Sequence, residues 1–227
     1  MSVDKPSQLM RSWQANADAW AKVVREQRVA SRRLVTDAAV LEAIHQCTPT
    51  RVLDVGCGEG WLCRTLAAKG FEVLGVDASQ PLISQARAAD PHPQRYYEFG
   101  YDQLAEAGQG LGQFDVLVCN FALLDEDLLP SLKAMRTRAT DGGYLLIQTL
   151  HPWQACANQP YVDGWRVEQF SDFGNEFTEP MPWFFRTLQS WLALLAEAGW
   201  QLQSLQEPKH PQQMQPASLL LLLRVRS

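Results

Sequence analysis

Val52-Leu53-Asp54-Val55-Gly56-Cys57-Gly58-Glu59-Gly60 is an apolar run that ends in three alternating glycines. Glycine here lets a chain leaving a strand turn sharply and approach a ligand with no Cβ in the way, so the stretch reads as a binding loop for a nucleotide-like molecule. A dinucleotide loop of the G-x-G-x-x-G kind shares this setting. The third glycine, however, is Gly60, and the position that fingerprint needs holds Trp61, too large for close helix-to-strand packing. Asp54, two residues before the first glycine, suits a cationic or amino-bearing ligand or orients the loop, whereas a pyrophosphate would be repelled by it.

Outward from this loop the chain alternates strands and helices after a helical beginning, which predicts an α/β fold with helices on both faces of a parallel sheet. Strands are expected at Val52–Val55, Val73–Val76, Tyr96–Phe99, Val116–Asn120, Tyr144–Thr149, Gln201–Glu207 and Leu219–Val225, and helices at Trp61–Ala68, Pro81–Ala88, Glu126–Arg138 and Leu188–Ala198. Gly70 and Gly199 serve as helix stops, and Pro81 fits a first helical turn. In open sheets of this type ligands bind beyond the carboxyl ends of the strands, where the glycine loop falls.

The loop resembles the first motif of the class I S-adenosylmethionine (SAM) dependent methyltransferases, apolar-apolar-Asp-apolar-Gly-x-Gly-x-Gly. The resemblance continues through Gly75-Val76-Asp77-Ala78-Ser79 and Phe114-Asp115-Val116-Leu117-Val118-Cys119-Asn120, and covers roughly Arg51 to Leu150. It implies a Rossmann-like, doubly wound, mostly parallel seven-stranded sheet whose last strand is antiparallel. It implies SAM as cofactor, with S-adenosylhomocysteine (SAH) as product. Asp54, Gly56, Cys57, Gly58 and Gly60 would then form the cofactor loop. Asp77, ending the second strand, can take both ribose hydroxyls; the competing reading is a helix cap, which Ser79 could supply instead. Ala78 would line the adenine. Tyr101 and Asp102 stand where the family contacts the adenine, although a simple turn after Gly100 explains them equally. Asn120, Phe121 and Ala122 would offer backbone groups to the methionine part, with Asn120 near the reacting methyl. Asn16-Ala17-Asp18-Ala19-Trp20 resembles a short N-terminal motif that closes over the cofactor through its aromatic residue. Trp20 is therefore a candidate, unless Trp13 and Trp20 form only an apolar helical stripe.

Methyl transfer needs alignment and exclusion of water more than acid or base groups. A base matters only when the acceptor arrives protonated. His151, directly after the fifth strand, and His210, in the loop before the last, are the candidate catalytic bases; each can equally be structural. Between Trp153 and Arg186 the alternation stops, and nine aromatic residues crowd among glycines, prolines and acids. This insert (151–186) is expected to lie as a lid over the acceptor pocket, although about half of its rings could instead build a core of its own. Arg166 and Arg186 face either an acceptor carboxylate or the insert's own acids.

The wider composition agrees. With 227 residues, 46% hydrophobic, the chain can form a single domain (1–227) with an N-terminal helical cap (1–48). A net charge of −5 argues against bulk nucleic acid as a partner. Arg25, Arg28 and Arg32 read as a solvated helix face. Five cysteines without paired spacing indicate neither zinc nor disulfides. No apolar stretch is long enough to span a membrane. The expectation is a soluble, cytoplasmic enzyme, monomer or homodimer, that methylates an O, N or C atom of a small-molecule acceptor. A SAM-binding regulator without transfer activity and a nicotinamide-dependent oxidoreductase are the alternatives.

Overall fold

The computed structural model describes residues 4–156 and 159–225. Two helices, α1 (Lys5–Ala15) and α2 (Ala17–Arg25), open the chain, and a π-helical turn (Arg32–Thr36) leads into α3 (Asp37–Gln46). There follow β1 (Arg51–Val55), α4 (Trp61–Ala68), β2 (Glu72–Asp77), α5 (Gln80–Ala88), β3 (Tyr96–Glu98), the short α6 (Leu104–Ala107), β4 (Phe114–Asn120), α7 (Leu129–Arg138) and β5 (Ala139–Thr149). The remainder is α8 (Pro152–Cys156), β6 (Gly164–Glu168), β7 (Met181–Phe185), α9 (Leu188–Glu197), β8 (Trp200–Gln206) and β9 (Leu219–Val225).

Seven strands form one sheet in the order β3-β2-β1-β4-β5-β9-β8. β1 lies parallel to both β2 and β4, with Val52 opposite Val73 on one side and Val116 on the other. Val52, Leu53 and Val55 are fully buried because helices cover both faces, which is why β1 is a continuous apolar run rather than an alternating one. The last strand, β9, is antiparallel between β5 and β8, as the family resemblance implied, and its Leu219–Leu221 are fully buried. One core layer packs α7 and α9 on the sheet through Leu132, Leu195 and Trp200; the other packs α3, α4 and α5 through Ile44, Leu66 and Ile83. A third, smaller cluster joins Leu9 of α1 and Leu124 to Phe170 and Met181 of the insert. Among the described residues no helix is long and apolar enough to cross a membrane.

Three elements differ from the sequence expectation. The insert carries an antiparallel hairpin, β6 with β7, whose long polar connection lacks the short turn signal that announces a hairpin. β5 begins at Ala139 rather than Tyr144, since Thr140-Asp141-Gly142-Gly143 hides the start of the strand in turn-forming residues. α7 begins at Leu129 rather than Glu126, where Pro130 fits its first turn.

Gly60 shows how tightly the loop after β1 is packed. Its φ is +82°, and a Cβ there would lie 2.7–2.9 Å from the ring of Tyr96. That ring is buried and its hydroxyl donates to Asp90 Oδ2 at 2.6 Å, so it has little room to retreat. Gly60→Ala is expected to lose about 3 kcal/mol of stability, from left-handed strain plus overpacking. Urea denaturation checks this; a loss under about 1 kcal/mol would mean that the ring moves aside.

Candidate functional site

β1 is where the sheet changes direction, one crossover leading to β2 and the other to β4, and open sheets place their ligand crevice at such a switch point. A cavity of about 610 Å³ opens there, of the size that takes small molecules. Its floor is the set of loops at the strands' carboxyl ends. Gly56, Cys57 and Gly58 follow β1, and Asp77 and Ala78 end β2. Tyr101 and Asp102 follow β3, and Asn120, Phe121 and Ala122 follow β4. The roof is α1, α2 and the insert, which contribute Trp13, Trp20, Phe170 and Phe173.

The floor is held by backbone bonds. The N–H groups of Gly56 and Cys57 both donate to Val76 O, at 2.8 and 3.0 Å, which pins the loop to the end of β2. Asp77 then grips it, because Oδ2 accepts from Gly58 N and Oδ1 from Ser79 N, each at 2.8 Å. Each oxygen keeps a further acceptor site. Burial raises the Asp77 pKa against the pull of these two N–H bonds. Ser79 stands at the N-cap of α5 but its hydroxyl caps nothing and is buried without a partner. Gly56 must be glycine because a Cβ would collide with Ala122, whereas a Cβ on Gly58 would enter open space and its left-handed φ of +55° is what calls for glycine there.

At the end of β4, Phe121 has a left-handed φ of +54°, the strained kind of backbone that collects at functional sites. Its N–H donates to Gln148 O at 2.7 Å. The Gln148 side chain donates to Asn120 Oδ1 (2.8 Å) and Thr36 O (2.9 Å) and accepts from Ser218 (3.2 Å). Gln148 thus orients Asn120 from inside β5, and nothing in its sequence position announced it.

Several expected site residues lie elsewhere. Asp54 is buried beneath the loop, does not line the cavity, and accepts the Cys63 thiol at 3.4 Å. Burial pushes its pKa up to about 7, with the charge of Asp77 adding to the effect. Gly60 is likewise outside the lining, against Tyr96. His151 is buried with Nε2 2.8 Å from Glu207 Oε1, and Nδ1 of His210 accepts the backbone N–H groups of Gln212 and Gln213. Neither histidine lines the cavity, so the structure does not bring the two candidate bases to it.

The arginines read as a solvated face are engaged instead. Arg25 Nε bonds the buried Glu59 of the glycine loop at 3.0 Å, and its other nitrogens bond Gln85 of α5. Arg64 takes the same Glu59 carboxylate at 2.7 Å. Arg28 pairs with Glu176 of the insert at 2.9 Å. Arg32 lines the cavity, bonded to Asp37 at 3.0 Å with its guanidinium 4.7 Å from the Trp61 ring centre. Trp20 is in the cavity wall, and it meets Trp13 edge-on at 5.7 Å and Phe177 at 6.4 Å.

Asn16, between α1 and α2, latches the two halves of the roof. Its Nδ2 donates to Glu179 O (2.7 Å) and its Oδ1 accepts from Thr178 N (2.9 Å) and Glu179 N (3.3 Å), all in the insert. It is 1% exposed. Asn16→Ala leaves these backbone groups without partners, at a cost of about 2 kcal/mol. Amide exchange at Thr178 is therefore expected to quicken about 30-fold, and unchanged exchange would show that the apolar roof contacts suffice.

Comparison with known proteins bears on this arrangement. The methyltransferase domain family matches residues 24–205. The ubiquinone biosynthesis O-methyltransferase of Acinetobacter baylyi is 30% identical over 107 residues, 44% of this chain and 44% of that protein. The shared stretch thus spans less than half the length of the curated relatives it matches. Among solved structures, a DhpI-SAM-HEP complex has a TM-score of 0.66 at 17% identity, covering 99% of each chain. The Burkholderia thailandensis 1,6-didemethyltoxoflavin-N1-methyltransferase, with bound 1,6-didemethyltoxoflavin and SAH, has a TM-score of 0.63 at 16% identity, covering 96% of this chain and 91% of that one. At such identities the likeness is one of fold.

Proposed function

Because the chain belongs to the class I SAM-dependent methyltransferases, we propose that it transfers a methyl group from SAM to an O, N or C atom of a small-molecule acceptor. The observation that carries this reading is the Asp77 carboxylate, bonded to the glycine loop on the floor of a 610 Å³ cavity, beside a Gly58 whose missing Cβ leaves open space.

The remaining acceptor sites of Asp77 suit the two ribose hydroxyls. Ala78, Tyr101 and Asp102 serve the adenine, and the backbone of Gly56–Gly58 with Asn120–Ala122 serves the amino-acid part. Trp20 closes over the cofactor from α2. SAM supplies a methyl group already activated on a sulfonium, so the acceptor's electron pair forms the new bond while the carbon–sulfur pair stays on sulfur. What the protein contributes is alignment and the exclusion of water by the aromatic roof. With no histidine in the wall among the described residues, a proton on the acceptor atom passes to a cavity carboxylate.

Calorimetric titration with SAM, SAH and NAD tests the reading. Binding of both adenosyl compounds without heat from NAD is expected, followed by formation of SAH when acceptors are supplied. Preference for NAD would overturn it.

A further inference from the structure

The geometry points to a flat aromatic acceptor that carries no negative charge, held between α1 and the insert against Trp13, Phe170 and Phe173. This rests on the methyl-transfer reading above and names the acceptor class it left open.

The shape comes from the roof. Trp13 and Trp20 meet edge-on, Trp20 touches Phe177, and Phe177 stacks on Phe170 with centroids 4.2 Å apart at 18°. Phe173 also meets Phe177, so each roof ring that faces the cavity is braced by another, and a flat molecule meets aromatic walls that need no reordering. Leu9, Met10 and Met181 complete an apolar surround.

The sign of the charge comes from an accounting of the cations. Among the described residues that line the cavity, Arg32 is the only Lys, Arg or His, and it is occupied by Asp37 and the face of Trp61. Beside the cavity, Lys22 of α2 and Arg28 are paired with Glu176, and Arg25 of α2 is paired with Glu59. The insert's arginines do not reach the cavity. Arg166 donates to the carbonyls of Ala155 and Pro160 and covers the Phe185 ring, while Arg186 donates through Nη2 to Glu126 O, covers Phe184 and keeps Nη1 buried without a partner, outside the cavity lining. Neither lines the cavity where an acceptor would sit. Against this, Asp125, Asp127 and Glu168 line the cavity in addition to the Asp77 and Asp102 assigned to the cofactor. An anionic acceptor would be desolvated beside carboxylates with no cation to receive it, whereas a neutral or cationic ring gains from both the aromatic faces and the carboxylates.

The test uses protein saturated with SAH, which lacks the sulfonium charge, so that the walls alone are read. Four probes of similar size are titrated by calorimetry and tryptophan quenching at low salt: 2-naphthol, N-methylquinolinium, 2-naphthoate and the non-planar trans-2-decalol. 2-Naphthol and N-methylquinolinium are expected to bind at least tenfold more tightly than 2-naphthoate and trans-2-decalol, and added salt to narrow the gap for 2-naphthoate. Trp13→Leu and Phe170→Leu are expected to weaken the flat probes at least tenfold more than they weaken SAH, with thermal unfolding of each variant reporting its folding. Equal or tighter binding of 2-naphthoate, equal binding of trans-2-decalol, or no binding of any flat probe to the SAH complex overturns the inference. Failure of SAH itself to bind overturns the methyl-transfer reading instead.

Discussion

Exchanging Asp77 for asparagine is expected to lower the affinity for SAH about a hundredfold at neutral pH. On the proposed reading the carboxylate has two tasks in one place, since it accepts from Gly58 and Ser79 at 2.8 Å each and would offer its remaining sites to the ribose. Asparagine keeps one carbonyl oxygen but turns an NH2 group toward an N–H donor, so one loop bond becomes a repulsion and one ribose contact is lost. A charge-assisted bond is worth roughly 1.5–3 kcal/mol net, and losing about 3 kcal/mol is a factor of about 100 in affinity. Adenosine separates the two tasks. A matching loss for adenosine places the effect at the ribose, while a loss seen only with SAH places it in the loop and the amino-acid part. SAH affinity within threefold of the parent would mean that Asp77 only props the loop.

The floor of the site was legible in the sequence because its parts are local. A strand buried on both faces is a continuous apolar run, and the residue that ends it falls at the sheet's carboxyl edge wherever its side chain points. Side-chain direction was not legible. His151 directly follows two residues that line the cavity, Thr149 and Leu150, yet its ring turns to Glu207 in the loop between β8 and β9. Asp54 lies inside the motif but beneath the loop, with its carboxylate against Cys63. The roof was legible as composition only. Its fixing contacts join residues far apart in sequence, Asn16 to Thr178 and Arg28 to Glu176, and no local spacing announces them. For the same reason Arg25 read as solvated: its partner Glu59 is 34 positions away, hidden in the glycine loop.

Asp54→Asn is expected to stabilise the protein at pH 8 relative to pH 4, by roughly 4 kcal/mol when each is measured against the parent chain. The reason is that burial holds the native carboxyl's pKa near 7, far above the 3.8 of an exposed one. Below about pH 4 the group is protonated in both states and takes nothing from stability. Between about pH 4 and 7 the unfolded chain ionises there while the native chain does not, so the contribution that protonation makes to the native state is lost step by step as the pH rises. Above about 7 both are ionised and the loss levels off. Asparagine has no proton to lose and escapes the whole decline. Urea unfolding of the two proteins at pH 4, 6 and 8 gives the difference directly, and a difference that stays flat with pH would mean that Asp54 ionises natively as an ordinary carboxyl. A group that costs stability at neutral pH is an odd occupant for a buried position beneath a binding loop, where a neutral side chain of the same shape would serve the fold better. The charge of Asp77 adds to the burial that disfavours ionisation of Asp54, and a bound sulfonium would offset the repulsion between the two. The stabilising Asp54→Asn exchange is accordingly expected to weaken SAM more than the uncharged SAH. Equal effects on both would show that the charge of Asp54 is not felt at the sulfonium.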